Sequence, residues 1–388
     1  MVDIDSPYPY QSRMLVRVST VNIEQLLDKL PAMKPHEVAT AMKDNPDKEM
    51  VLERGLSVLA DGVGKTVEAA ATSAKVEDVS HAEGIDPIAI AVGVMKQYKA
   101  SANIQTQGCR FLLRLSEIQL QQPKLTAAGG VGATITAMTN HEANVEVQEQ
   151  GCIVLHNLGS SNASSKTKIA SLRGIQAIVK AMDEHLECES LQLHAIWALQ
   201  VLIPNRTNQD IMAASGGIEQ LLKGLNKFPM SPAIQDRGCR ALGNLAYSHA
   251  ENQKKIMDEQ GFGAVLDAMA THQGVQAVQE HGCRALKNFS DNNSAATSEI
   301  LRLHGANAVV RAMDQHAAIG EVLGQACFAL RNLLDSADGK GQLQAMNAAK
   351  AVQQFANSST ADPAHAKIAQ EVLGILIGAT EKQRIGFW

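Results

Sequence analysis

Apolar residues recur along this chain at spacings of three and four, while runs of strict apolar–polar alternation bounded by turn dipeptides are missing. That pattern predicts helices throughout and no sheet. In GCRALGNLA, residues 238–246, Gly238, Cys239, Ala241, Leu242 and Leu245 share one arc of about 160° on a helical wheel, the face that seeks a core. Arg240 and Asn244 fall on the opposite side. The phrase returns as GCRALKNFS at 282–290 and as ACFALRNLL at 326–334. With its glycine as slot zero, that slot holds Gly108, Gly151, Ala195, Gly238, Gly282 and Ala326, in steps of 43, 44, 43, 44 and 44 residues. Gly55, 53 residues before Gly108, and Val372, 46 after Ala326, continue the series irregularly at its ends, as terminal capping repeats do.

A second phrase is locked to the first: GGVGATITAMTNH at 129–141, RGIQAIVKAMDEH at 173–185, GGIEQLLKGLNKF at 216–228, GFGAVLDAMATH at 261–272 and GANAVVRAMDQH at 305–316. A short polar helical segment precedes each of the last four: SKTKIASLR, TNQDIMAAS, ENQKKIMDE and TSEILRLH. Each unit therefore reads as a short helix, a glycine break, an apolar helix, a polar loop and the GCRAL helix. The glycine breaks fit helix C-caps. Pro and Asn mark the loops, as in NKFPMSPA and VLIPNRTN. Glycines in DGVGKT, residues 61–66, are expected to end the first GCRAL-like helix; the segment lacks the first glycine and the preceding strand that a phosphate-binding loop needs.

Three helices in a unit of about 42 residues, with G-C-x-A-L-x-N-L in the third, resemble the armadillo repeat family over roughly residues 48–380. The resemblance implies an all-α fold, a right-handed superhelical solenoid of about eight three-helix repeats whose apolar faces are buried only by stacking. Residues 1–47 read as an N-terminal segment with a helical cap or a degenerate first unit, and residues 381–388 as a C-terminal tail.

Core packing does not explain the residues opposite the apolar arc. Slot +2 holds Arg110, Ile153, Trp197, Arg240, Arg284 and Phe328; slot +6 holds Arg114, Asn157, Val201, Asn244, Asn288 and Asn332; slot +9 adds Tyr247, Asp291 and Asp335. In armadillo proteins this face lines a concave groove, where slot +6 asparagines bond the main chain of an extended ligand. The resemblance makes Arg110, Arg114, Asn157, Trp197, Arg240, Asn244, Tyr247, Arg284, Asn288, Phe328 and Asn332 the candidate partner-binding residues. Adjacent helices lie about 8–10 Å apart, so one unit matches about three residues of an extended chain. Arg240 and Arg284 favour an acidic or phosphorylated segment. The family's nuclear-import adaptors repeat a Trp at +2 with an Asn at +6; Trp197 is followed by Val201, so that specificity is not expected. Two alternatives remain open: a docking surface on the rim or convex face, and asparagines that are merely solvated or bond a neighbouring loop.

Composition narrows the rest. Hydrophobic residues make up 45% and aromatics 3%, so aliphatic side chains must fill the core. A net charge of −5 argues against nucleic-acid binding. The N-terminus lacks the apolar region of a signal peptide, and no run of 18 apolar residues predicts membrane insertion, which points to the cytoplasm. Cys109, Cys152, Cys239, Cys283 and Cys327 all occupy slot +1 and read as small core residues, too far apart to bridge; only Cys188 falls outside the pattern. His141, His185, His272 and His316 share one slot after the second helix and read as capping residues, not metal ligands. No catalytic motif, metal site or cofactor site is found. Phe387 and Trp388 at the chain end either cover the last unit or dock a partner. The expected function is a non-enzymatic scaffold or adaptor for proteins within a multi-protein complex, with cytoskeletal or ciliary assemblies as one setting; regulation of a signalling protein such as a small GTPase is the alternative.

Overall fold

The structure, a computed structural model, describes residues 23–72, 86–161, 163–357 and 362–378. Helices follow one another without a strand among the described residues. The third helices are Glu49–Thr72, Ala102–Ser116, Val145–Ser161, Glu189–Leu202, Pro232–Ala246, Gln276–Ser290, Gly320–Leu333 and Pro363–Ile377, and units are numbered 1 to 8 by them here. Unit 5 shows the plan, with Arg206–Ala214 and Gly217–Lys227 preceding Pro232–Ala246. Successive third helices pack on one another along the array, as do successive second helices from unit 3 to unit 7. The helices Ile23–Lys29 and Pro35–Asp44 pack on Glu49–Thr72 in the way that later first and second helices pack on theirs.

Local chemistry sets the helix ends. Asn205, Asn293 and Ser336 cap first helices by accepting backbone N–H groups of Asn208, Ala296 and Gly339 at 3.2, 3.0 and 3.0 Å. The exit of the second helix is capped from the third. Gln105, Gln148, Gln192, Gln235 and Gln279, each three residues before slot zero, are buried. Their Nε2 groups donate to two carbonyls at the end of the second helix; for Gln235 these are Leu225 O at 2.8 Å and Phe228 O at 3.0 Å. One amide thus satisfies two carbonyls that helix geometry leaves open.

Both kinds of repeated glycine mark close approaches. A Cβ on Gly238 would lie 2.4 Å from Leu225 Cδ2, and one on Gly151 2.6 Å from Met138 Cγ. The slot-zero glycine therefore lets the second helix's Met or Leu lie across the third helix. The glycine between first and second helices has a role different from the expected C-cap. The left-handed residue is the preceding one, and it can be Arg173 (φ 63°), Gln260 (φ 64°) or His304 (φ 60°) as well as Gly129 or Gly216. The recurring glycine opens the second helix, where a Cβ on Gly217 would sit 2.9 Å from Met212 O, a backbone atom that cannot swing aside.

Slots zero, +1, +3, +4 and +7 of the complete units are buried, the five slot +1 cysteines among them. Each fully buried Leu in such a row stabilises the array by roughly 1.5–3 kcal/mol. Two expectations at the ends are corrected. Gly62 and Gly64 do not end the first third helix, which runs on to Thr72, because Leu59, Ala60 and Val63 continue its buried stripe. In unit 8 slot zero is Ala369, not Val372: the helix starts at Pro363, six residues earlier as in units 5 to 7, and Ala369, Val372 and Leu376 are the buried residues. The series there keeps its period, 43 residues after Ala326.

Candidate binding face of the third helices

The third helices turn slots +2, +6 and +9 away from the core, but to unequal degrees. Trp197 and Tyr247 are exposed at 36% and 57%, and Arg240 is exposed as well. Arg110, Arg114, Asn157, Asn244, Arg284, Phe328 and Asn332 are half-buried. Asn288, expected on the open face, is buried at 3%.

The asparagines explain this difference. Asn288 Nδ2 donates to Gly243 O of the preceding unit at 2.8 Å, and Asn332 Nδ2 to Lys287 O at 3.0 Å. Asn157 Nδ2 reaches back to Ser116 Oγ at 2.9 Å. Three slot +6 amides therefore tie one unit to the third helix of the unit before it, rather than to a neighbouring loop or to solvent. Asn244 differs: among the described residues its amide makes no hydrogen bond.

The cations divide in the same way. Arg110 pairs with Asp61 at 2.6 Å, Arg114 with Glu117 at 3.3 Å and Arg284 with Glu280 at 3.3 Å. Arg331 pairs with both Asp335 and Glu371, and this raises its pKa. Among the described residues neither Arg237 nor Arg240 bonds a carboxylate.

Two aromatic–cation clusters sit on this face. Trp197 lies between the His156 ring, centroids 4.3 Å apart, and the Arg237 guanidinium, 4.1 Å from the ring centre. Burial lowers the His156 pKa, and the nearby Arg237 charge acts in the same direction; burial also lowers that of Arg237, with Arg240 adding to it. Farther along, Lys287 Nζ stands 4.9 Å from the centre of the Phe328 ring, and His365 meets that ring edge-on. Burial lowers the Lys287 pKa, and Arg284 lowers it further.

A histidine clamp that the sequence did not reveal runs along the second-helix side. His141, His185, His272 and His316 end their second helices, as expected of capping residues. Each ring Nε2 also bonds a main-chain carbonyl of the preceding unit: Lys99, Glu142, Pro229 and Gln273, at 2.8, 2.6, 2.8 and 2.8 Å. The signal was the fixed slot; the partner lay 42 or 43 residues away. In unit 5 Phe228 takes the slot, so the seam between units 4 and 5 has no clamp there.

The slot +1 thiols are free and buried. Burial pushes Cys109, Cys239 and Cys327 up to about 12 and raises Cys152 and Cys283 as well. Among the described residues no cluster of three or more His, Cys, Asp or Glu side chains could hold a metal ion. No helix of the described residues is long and apolar enough to cross a membrane. Phe387 and Trp388 lie outside the described residues.

No family model matches the chain. An alignment 134 positions long, covering 31% of the chain, is 33% identical to Protein aardvark of Dictyostelium discoideum; the match spans 18% of that protein's length. Among solved structures, a designed armadillo repeat protein superposes with a TM-score of 0.56 at 17% identity, over 63% of this chain and 99% of its own. An engineered protein gives 0.56 at 22% identity, over 64% and 97%. A structure described under a phosphorylation switch between cadherin and beta-catenin gives 0.53 at 14% identity, over 91% and 79%. At these identities the likeness is one of fold, and the fold is the armadillo-repeat solenoid.

Proposed function

We propose that this armadillo-repeat chain is a non-enzymatic scaffold that holds an extended segment of a protein partner against its third-helix face, as a subunit of a larger assembly. The observation that carries the reading is the exposed set Trp197, Arg240 and Tyr247, with the half-buried Asn244. Stacking accounts for the core slots and for three of the four slot +6 asparagines; it does not account for these. Their chemistry suits an acidic or polar polypeptide: an aromatic surface, an amide that can bond a main chain, and guanidinium groups without carboxylate partners. The raised thiol pKa values support a non-catalytic role, because they keep the cysteines from acting as thiolates.

The test is a native pull-down with the full chain, read by mass spectrometry, comparing the wild type with an Arg240→Glu, Arg284→Glu double variant. Loss of a stoichiometric partner by about tenfold or more, with the helical signal intact, is the expected result. Retention of every partner at unchanged stoichiometry would overturn the reading. A partner whose capture depends on added guanine nucleotide would point instead to a regulator of a small GTPase.

A further inference from the structure

We infer that the seam between units 4 and 5 is the anchor of the third-helix face, a subsite that takes an anionic side chain of an extended acidic polypeptide between Trp197 and Gln200 of one unit and Arg237, Arg240 and Asn244 of the next. This rests on the scaffold reading above and adds where, and by what chemistry, the partner is gripped.

The register of the stack locates the subsite. Slot +5 of one unit lies against slots +2 and +3 of the next: His156 against Trp197, Gly243 against Ala285, Lys287 against Phe328. The same register puts Gln200, slot +5 of unit 4, against Arg240 and Ala241. Gln200 is 5% exposed, and its Nε2 has no hydrogen-bond partner. A buried amide donor left unpaired costs roughly 1–3 kcal/mol, a cost that persists unless something uses the donor. Asn244, across the same seam, is the slot +6 asparagine that does not tie back. Arg237 covers one side of the Trp197 ring and bonds no carboxylate, nor does Arg240.

Gln200 Nε2 is an unpaired donor, the Asn244 amide offers both donors and an acceptor, and Arg237 and Arg240 are cations that bond no carboxylate. Trp197 adds an exposed apolar surface beside them. A ligand that completes the seam must bring acceptors and negative charge: main-chain carbonyls for the two amides and a carboxylate or phosphate for the two guanidinium groups. A basic segment would meet two like charges. The ligand would bond both units at once and so close a junction that has neither the asparagine tie nor the histidine clamp.

Trp197 and Trp388 are the tryptophans of the chain, so Trp388→Phe leaves Trp197 as the sole tryptophan, excited selectively over the tyrosines. The full-length Trp388→Phe protein is titrated with short peptides of alternating Glu and Ser, with their phosphoserine forms, and with a Lys-for-Glu control. Both anionic peptides are expected to shift the Trp197 emission, and the Lys peptide is not. Tighter binding of the phosphorylated form marks phosphate as the preferred anion; equal binding marks the carboxylate as sufficient. Arg237→Glu with Arg240→Glu should weaken binding by about tenfold or more. Gln200→Met keeps the volume and removes the unpaired donor, so the thermal midpoint should hold or rise while affinity falls about fivefold.

Peptide binding that resists these substitutions but is lost in Arg284→Glu would overturn the anchor and leave the scaffold reading standing. A lower midpoint with unchanged affinity in Gln200→Met would also overturn it, by making Gln200 a packing residue. Failure of both anionic peptides to bind either the unsubstituted protein or the Trp388→Phe protein would overturn the anchor together with the acidic-segment reading.

Discussion

The seams on either side of unit 5 are built from the same slots yet hold differently. Between units 5 and 6 the third helices meet backbone to backbone: a Cβ on Gly243 would lie 3.0 Å from Ala285 Cα. Asn288 donates to Gly243 O across that contact, and His272 clamps Pro229 O on the second-helix side. Between units 4 and 5 Gln200 occupies the Gly243 slot, Asn244 makes no tie, and Phe228 replaces the histidine. What crosses there is partly exposed: Lys223 to Asp183, Lys227 to Glu187, and Arg237 over Trp197. A repeat protein can thus keep its period and its core while varying, junction by junction, how firmly neighbours are joined. The buried bonds stiffen one seam, and the exposed ion pairs of the other contribute little each.

Substitutions can break this contrast or sharpen it. Gly243→Val should have the largest effect, because the new side chain meets the Ala285 backbone rather than a movable tip. About 3 kcal/mol of stability should be lost, with chemical unfolding resolving into two steps as the tight seam opens; a single transition at the wild-type midpoint would show that the contact is not close. Next, Asn288→Ala should cost about 1 kcal/mol, limited by a buried Oδ1 that has no partner even in the intact protein. Asn244→Ala should change the stability measured in urea hardly at all, by under about 0.5 kcal/mol. Equal losses in the two variants would abolish the distinction drawn between the seams. His272→Phe, which gives seam 5–6 the residue of seam 4–5, should cost roughly 0.5–1 kcal/mol and speed amide exchange around Pro229 and Gln273. Unchanged exchange there would mean that the clamp contributes nothing.

The fold was legible in the sequence because burial repeats. Gly238, Cys239, Ala241, Leu242 and Leu245 announce a helix face, and the recurrence of that face at a fixed interval announces a stack. The ends were harder to place, since a terminal helix lacks a neighbour to enforce each slot. Gln370, in the cysteine slot of unit 8, is exposed, and this hid Ala369 as slot zero. The binding face was legible only in part. Outward direction follows from the wheel, so Trp197, Arg240 and Tyr247 were found. Whether an outward amide is free depends on whether a carbonyl of the preceding third helix comes within its reach. Nothing in GCRALKNFS distinguishes Asn288 from Asn244, and the residue opposite does not settle it either, since Asn288 ties back over Gly243 and Asn332 over Lys287. Arg110 needed Asp61, 49 residues away, to be placed beside it before its charge could be read as paired, whereas Glu117 stands three residues from Arg114 in the sequence itself.

The histidine clamp bears on how such a chain can lengthen. Its acceptor is always a main-chain carbonyl, offered equally by Lys99, Glu142, Pro229 and Gln273. A duplicated unit therefore brings its own donor and finds an acceptor waiting, whatever residue precedes it. No matching substitution is required in the older unit for the joint to form. Growth by tandem duplication can then run ahead of adaptation, and later exchanges such as histidine for Phe228 can loosen chosen joints one at a time.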